Sequence, residues 1–205
     1  MATEASVAEF WKGDFGNNYT RRIVGENLIG EREAFFRLAL GGADQPITSL
    51  IEFGANRGLN LLALQRIIDA RMTAVEINEL ALSELSNVGG VHVIQSNMLE
   101  FQGQDQYDLS LSMAVLMHIP PEALPQAYGA LYHSSRRYVL IAEYYNPKPE
   151  LIEFQGRNDL LWKRDFAGEM LDLYPDLKVI DYGFLWRRDP VMPLYDLTWF
   201  LMEKH

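Results

Sequence analysis

The sequence predicts an α/β fold: a seven-stranded, mostly parallel sheet with an antiparallel C-terminal hairpin and N-terminal cap helices. Three observations predict it. From position 47 onward, short apolar runs rich in β-branched residues alternate with stretches whose apolar residues recur at helical spacing, as in strand–helix–strand crossovers. The C-terminal end instead carries two extended runs, LKVIDYGFLWRRDP and YDLTWFLMEK, separated by a proline-containing loop and no helix. Finally, 205 residues at 48% hydrophobic content suffice for one domain with a real core and would be cramped for two.

The elements follow in order. Residues 6–40 carry Ile23, Leu28, Phe35, Leu38 and Ala39 at roughly helical spacing, which reads as two helices. Residues 1–45 are therefore expected to form a helical lid or cap and residues 46–205 the sheet core of the same domain. ITSLIEF is a strand, and GLNLLALQRIIDA a helix with Leu61, Leu64, Ile67 and Ile68 on one face. MTAVEI, VHVIQSN, YDLSLSM and RYVLIAEY are further strands, with NELALSELSNV a helix between the first two of them. The helix after YDLSLSM begins near Pro121, because proline suits a first turn. Proline clusters at 120–125, 147–149 and 190–193 mark loops.

Composition excludes several classes. A net charge of −10 argues against a sequence-blind grip on nucleic-acid phosphates, which depends on Lys and Arg. The absence of cysteine removes disulfides, zinc thiolates and thiol nucleophiles, and fits a reducing compartment. MATEASVAEFWKGDFG has no basic segment leading into an apolar one, and no apolar run is long enough to span a bilayer. A soluble, cytoplasmic protein, monomeric or homodimeric, is expected, with neither nucleic acid nor membrane as partner and no metal.

The informative stretch is LIEFGANRGLNLLAL, residues 50–64. Glu52 closes a buried strand two residues before Gly54, and a charge there is expensive unless something binds it. In open parallel sheets ligands bind beyond the carboxyl ends of the strands, beside the first one. A dinucleotide fingerprint fails, since Asn56 and Leu59 stand where its second and third glycines belong, which disfavours an NAD-dependent dehydrogenase. A phosphate-binding P-loop fails too, with Leu59 and Asn60 in place of Lys and Ser/Thr.

The pattern acidic-x-G-x-x-x-G resembles the first motif of class I S-adenosylmethionine-dependent methyltransferases, whose fold is Rossmann-like. The resemblance implies S-adenosylmethionine as cofactor. Gly54 lets the backbone approach its aminoacyl part and ribose, and Glu52 holds the loop or meets its cationic end. Glu76 closes the second strand, where a carboxylate suits a bidentate grip on ribose hydroxyls. Asn97 and Met98 follow the third strand at the place that contacts adenine; relatives mostly carry Asp at the Asn97 position, and the Asn carbonyl still accepts from an amino group. Ala55, Asn56, Gly58, Ile77 and Met113 complete the expected donor site.

A narrower family is also similar: the pseudaminic acid biosynthesis-associated methylases. The blocks FWKGDFGNNYTRR, EFGANRGLNLLAL, VLMHIPPEALP, AEYYNPKP, KRDFAGEMLDLYPDLKVIDYGF and DLTWFL carry that resemblance over nearly the full length. It implies an acceptor connected with nonulosonic-acid or surface-glycan synthesis, a sugar or amino-sugar derivative. Ile23, where relatives tend to carry Asn, and EFQGRND at 153–159 depart from the family pattern.

Methyl transfer from a sulfonium is an in-line displacement that needs alignment and a dry site. A hydroxyl nucleophile also benefits from a general base. His118, in the loop MAVLMHIPP after the fourth strand, is the candidate base, alternatively only a wall of the donor pocket. Glu143 and Tyr144 close the fifth strand as further catalytic candidates, and Tyr145 and Asn146 continue them as an acceptor wall. Lys163 and Arg164, just before the helix FAGEMLDLY and its cap Asp165, make a positive site suited to an anionic acceptor. The aromatic, glycine-rich FWKGDFGNNYTRR is expected to fold over the donor site, with Tyr19 and Arg22 reaching the donor's carboxylate. A non-catalytic S-adenosylmethionine-binding or scaffold protein of a biosynthetic cluster is the alternative reading.

Overall fold

The computed structural model describes residues 4–23, 25, 27–103 and 105–205; residues 1–3, 24 and 26 of the expected lid lie outside them. Among the described residues three helices, rather than two, precede the sheet: α1 (Glu4–Lys12), α2 (Asp14–Arg22) and α3 (Asn27–Ala39). The additional break falls at Gly13, whose extended backbone (φ −85°, ψ −156°) cannot belong to a continuous helix. In α3, Arg32, Phe35, Phe36 and Ala39 recur at i, i+3, i+4 and i+7, and all four are buried. The Phe35 ring meets that of Trp199 edge-on at 6.2 Å, which docks α3 on the C-terminal strands.

Strands and helices then alternate: β1 (Ser49–Phe53), α4 (Leu59–Gln65), β2 (Arg71–Glu76), α5 (Glu79–Leu85), β3 (Val91–Gln95), β4 (Tyr107–Met113), α6 (Leu124–Ser134) and β5 (Ser135–Glu143). A two-stranded ribbon of β6 (Glu150–Leu151) and β7 (Trp162–Lys163) follows, then α7 (Phe166–Leu173), β8 (Leu177–Leu185) and β9 (Leu197–Lys204). The ribbon was not expected; two residues per strand are too short to show a period of two.

The main sheet has seven strands in the order β3-β2-β1-β4-β5-β9-β8. β1 to β5 pair in parallel, and β9 inserts antiparallel between β5 and β8, as the expected hairpin. β1 is buried over its whole length because helices cover both faces of a parallel sheet. Leu50, Ile51 and Phe53 lie within it at 0% exposure, each worth about 1.5–3 kcal/mol of transfer energy. The strand order reverses between β1 and β4, which opens a crevice at their carboxyl ends. Glu52 lies opposite Ala74 of β2, so Glu52 and Glu76, two residues beyond Ala74, project from the same face of the sheet at that end. Among the described residues no helix is long and apolar enough to cross a membrane.

Candidate functional site

A cavity occupies the crevice, floored by the β1–α4 loop and by the residues that follow β2, β3 and β4. Its polar lining includes Asn56, Glu76, Asn97 and Arg32, its apolar lining Ile77, Met98, Leu99 and Met113, and its roof Trp11 and Tyr19.

The first loop is built tightly. Gly54 has φ +72°, and a Cβ there would stand 2.5 Å from Val115 Cγ2, so only glycine fits. The Gly54 and Ala55 amides both donate to Val75 O, at 2.8 and 3.3 Å, which folds the loop onto the end of β2. Asn56, left-handed at φ 48°, donates its amide to Glu76 Oε2 at 2.7 Å. Glu76 Oε1 accepts the Ile77 and Asn78 amides at 2.7 and 2.8 Å. Burial still raises the Glu76 carboxyl above its ordinary value, against the pull of those three amides. Asn97 Oδ1 accepts the Leu99 amide at 3.1 Å and caps the short 3-10 turn Met98–Glu100.

The roof is tethered by two side chains. Asn78 Nδ2 donates to Trp11 O at 2.9 Å and Asn17 Oδ1 at 3.0 Å, while its Oδ1 caps α5 by accepting the Ala81 amide. Arg57 Nη1 donates to Ile23 O at 3.1 Å, and its Nη2 pairs with Glu84 at 2.9 Å. Tyr19 lines the cavity, and burial pushes its phenol up to about 12, so it stays a hydroxyl.

His118 also lines the cavity, 8% exposed, with Trp11 4.8 Å and Phe154 5.2 Å from its ring. Its Nδ1 lies 2.9 Å from Leu160 O, which only accepts, so Nδ1 carries the proton and Nε2 is the lone-pair nitrogen. Burial lowers its pKa to about 4, which keeps the ring neutral at neutral pH.

Six expectations need correction. Glu52 does not line the cavity, so it meets no cationic end of a ligand; of its two expected roles the supporting one remains, since it is 1% exposed and holds Asn60, which does line the cavity, by accepting from Nδ2 at 2.5 Å. Gly58 turns toward α5 instead, since a Cβ there would stand 2.7 Å from Leu85 Cδ1. Arg22 is exposed and outside the lining; the arginines that reach the cavity are Arg32 and Arg57. Glu143 is not a catalytic wall. Its Oε1 accepts the Val115 and Leu116 amides, both at 3.0 Å, and Oε2 that of Met117 at 3.2 Å, so it shapes the loop that carries His118. Tyr144, expected as a catalytic group, lies outside this cavity, in a neighbouring cleft that it lines together with Tyr145 and Lys163. Asn146 and Arg164 line neither, being engaged with Glu150 at 2.9 Å and Glu169 at 2.8 Å.

Sequence reasoning passed over Arg32, Asn60, Asn78 and Tyr195, all in the cavity lining. For Arg32 a signal was present: it sits in the apolar stripe of Phe35, Phe36 and Ala39, where an unneeded charge is costly. Nothing comparable marks Asn60 or Tyr195.

Comparison with known proteins places this architecture. No protein-family model and no curated protein sequence matches the chain. Solved structures do. The 1,6-didemethyltoxoflavin-N1-methyltransferase of Burkholderia thailandensis, with 1,6-didemethyltoxoflavin and S-adenosylhomocysteine bound, superposes with a TM-score of 0.73 at 18% identity, over 100% of this chain and 91% of that one. The magnesium protoporphyrin IX methyltransferase of Synechocystis PCC 6803, with S-adenosylhomocysteine, gives 0.73 at 13% identity over 99% and 100%. An amino pentose methyltransferase of Micromonospora echinaspora involved in calicheamicin biosynthesis, with S-adenosylmethionine, gives 0.65 at 10% identity over 93% and 96%.

Proposed function

We propose that this chain, which has the fold of the class I S-adenosylmethionine-dependent methyltransferases, transfers a methyl group from S-adenosylmethionine to oxygen or nitrogen of a small-molecule acceptor. The observation that carries the reading is the pairing of Arg32 and Glu76 in one cavity. Arg32 is 6% exposed, its charge reaches the buried Glu52 carboxyl without an ion pair among the described residues, and its one hydrogen bond among them is from Nη1 to Leu28 O at 2.9 Å, so its remaining donors are open to an anionic ligand. Glu76 offers its remaining lone pairs to hydroxyls.

The residues fit the donor. Arg32 and Tyr19 suit an amino-acid carboxylate, and the buried Asn60 Oδ1, with no partner among the described residues, suits an ammonium. Glu76 suits ribose, and Ile77, Met98 and Leu99 a flat adenine. Gly54, at φ +72° and packed against Val115, lets the loop make the turn that brings its backbone to the cavity wall. When bound, S-adenosylmethionine supplies a sulfonium methyl and a neutral leaving thioether.

The chain's own residues supply the rest. His118 Nε2, unprotonated and held by Leu160, takes the acceptor's proton or holds its hydroxyl or amino group as an acceptor of hydrogen bonds. Trp11 and Phe154 against that ring keep it dry. α1 and α2 act as a lid, ordered by Asn78 and Arg57. Glu143 positions the His118 loop.

We further assign the acceptor to sugar or amino-sugar derivatives of nonulosonic-acid or surface-glycan biosynthesis, a cytoplasmic reaction. Support comes from the resemblance of the sequence blocks to those of the pseudaminic acid-associated methylases, and the amino pentose methyltransferase among similar folds is in keeping with it. The test is conversion of S-adenosylmethionine to S-adenosylhomocysteine, read by mass spectrometry, with a panel of sugar nucleotides and amino sugars. Acceptor-dependent product that falls about 100-fold in His118→Ala is the expected result. No product above the acceptor-free rate with any of the panel contradicts the sugar assignment.

A further inference from the structure

We infer that the cleft lined by Tyr145, Lys163, Phe184, Trp186 and Asp196 is an acceptor subsite for an anionic sugar, holding the part of the acceptor remote from the transferred methyl. The inference rests on the methyltransferase reading and extends it to surfaces that reading does not use.

The cleft's aromatic rings are unusual for where they stand. Phe184 is 60% exposed, Trp186 49% and Tyr145 42%, in a chain whose other large rings are mostly covered. β8 is an edge strand, and its alternation puts Tyr182 and Phe184 on one face, with Trp186 next in the same series just beyond the strand. Behind them Phe200 stacks on Tyr182 at 6.0 Å and meets Tyr145 at 6.3 Å, so the rings form a supported platform. Exposed aromatic surface of this kind marks a binding site. Rigid rings bordering polar groups suit the apolar C–H face of a sugar, whose hydroxyls stay at the rim.

Charge selects an anion. Lys163 has no ion pair among the described residues, and its ammonium lies 5.7 Å from the Tyr144 ring centre. Its cross-strand neighbour Glu150 bonds Asn146 instead. Asp196 is neutralised by Arg187, accepting from its amide at 2.9 Å and its Nε at 3.0 Å. Arg188 adds a second cation, 5.9 Å from the Trp186 ring centre. On a chain of net charge −10, this is a local positive site.

Position connects the cleft to the chemistry. Tyr195 lines the donor cavity and Asp196 the cleft, and both are held left-handed, at φ 47° and 57°. Two successive non-glycine residues in that region are strained, and the strain is kept at the wall the two sites share. An acceptor that enters the donor cavity past Tyr195 lays its remaining part on the ring platform.

The test titrates the full chain, saturated with S-adenosylhomocysteine, with N-acetylneuraminic acid, UDP-N-acetylglucosamine and neutral N-acetylglucosamine. Trp186→Ala and Lys163→Ala are run beside the unaltered chain. One or both anionic sugars should bind, more tightly than the neutral one, and lose about tenfold or more in each variant, with S-adenosylhomocysteine affinity unchanged. Binding by the first sugar assigns a carboxylate, by the second a phosphate. Failure of both anionic sugars to bind, or equal affinity in all three chains, overturns the subsite. So does dimerisation of the unaltered chain, by sedimentation, that either variant abolishes with sugar affinity intact, which assigns the platform to a subunit interface. A chain that fails to bind S-adenosylhomocysteine contradicts the methyltransferase reading itself, a result separate from these.

Discussion

Glu76 and Asn56 are joined across the crevice: the Asn56 amide donates to Glu76 Oε2 at 2.7 Å, tying the first loop to the end of the second strand. The same carboxylate thus builds the loop and presents its remaining lone pairs to the cavity. Glu76→Gln places an amide nitrogen against backbone donors that need an acceptor. Stability should fall by about 1–3 kcal/mol and S-adenosylhomocysteine affinity by about tenfold or more. Thermal unfolding and calorimetry check both, and unchanged affinity would remove Glu76 from the donor site.

Arg32 and Arg22 make opposite predictions although both lie in the N-terminal helices. Arg32→Met deletes the buried cation and should weaken S-adenosylhomocysteine binding about 10–100-fold, the worth of hydrogen bonds to a charged group. Arg22→Ala, on an exposed residue, should leave it within about twofold. Calorimetry on the two variants decides, and the reverse ranking would return the carboxylate to Arg22.

The lid hangs on Asn78. Asn78→Asp keeps the oxygen that caps α5 but replaces the nitrogen that donates to Trp11 O and Asn17 Oδ1 by a repelling oxygen. Amide hydrogen exchange in α1 and α2 should accelerate while α5 keeps its protection, and donor affinity should drop about tenfold. Deleting residues 1–22 should weaken it further. Unaltered exchange in α1 and α2 would show that the tether contributes nothing.

The parallel sheet, its closing hairpin and the first loop were legible because each leaves a local signature: doubly buried apolar runs, a helix-free C-terminal stretch, and an acidic residue before a glycine. What a buried acid does was not legible. Glu52, Glu76 and Glu143 look alike as charges at strand ends, yet one holds Asn60, one faces the cavity and one caps the β4 loop. Those differences arise from which neighbouring backbone amides lie free, a matter of tertiary structure. Arg22 and Arg32 were confused because the lid's path over the sheet, set by the break at Gly13 and the tether at Asn78, has no periodic trace.

Glu52 should also leave a mark on stability. Burial raises its pKa from 4.5 to about 7, so between those values the folded chain binds a proton that the unfolded chain has released. That makes stability fall as pH rises through the window. Glu143, also raised to about 7, acts in the same direction, and His118, lowered to about 4, acts in the opposite one between about 4 and 6.5. Glu76, also raised by burial, adds to the fall, and Glu52→Gln removes one of these four contributions. Its stability between pH 5 and 6.5 should gain about 1.4 kcal/mol per pH unit relative to the unaltered chain. Parallel curves from denaturant titrations would show that Glu52 ionises normally.

The central claim is that the crevice between β1 and β4 holds an adenosyl amino acid rather than a dinucleotide. Calorimetric titration of the unaltered chain with S-adenosylhomocysteine and, separately, with NAD tests it most directly. Saturable one-site heat with the first and none with the second is predicted. Absence of binding by S-adenosylhomocysteine, or tighter binding of NAD, contradicts it.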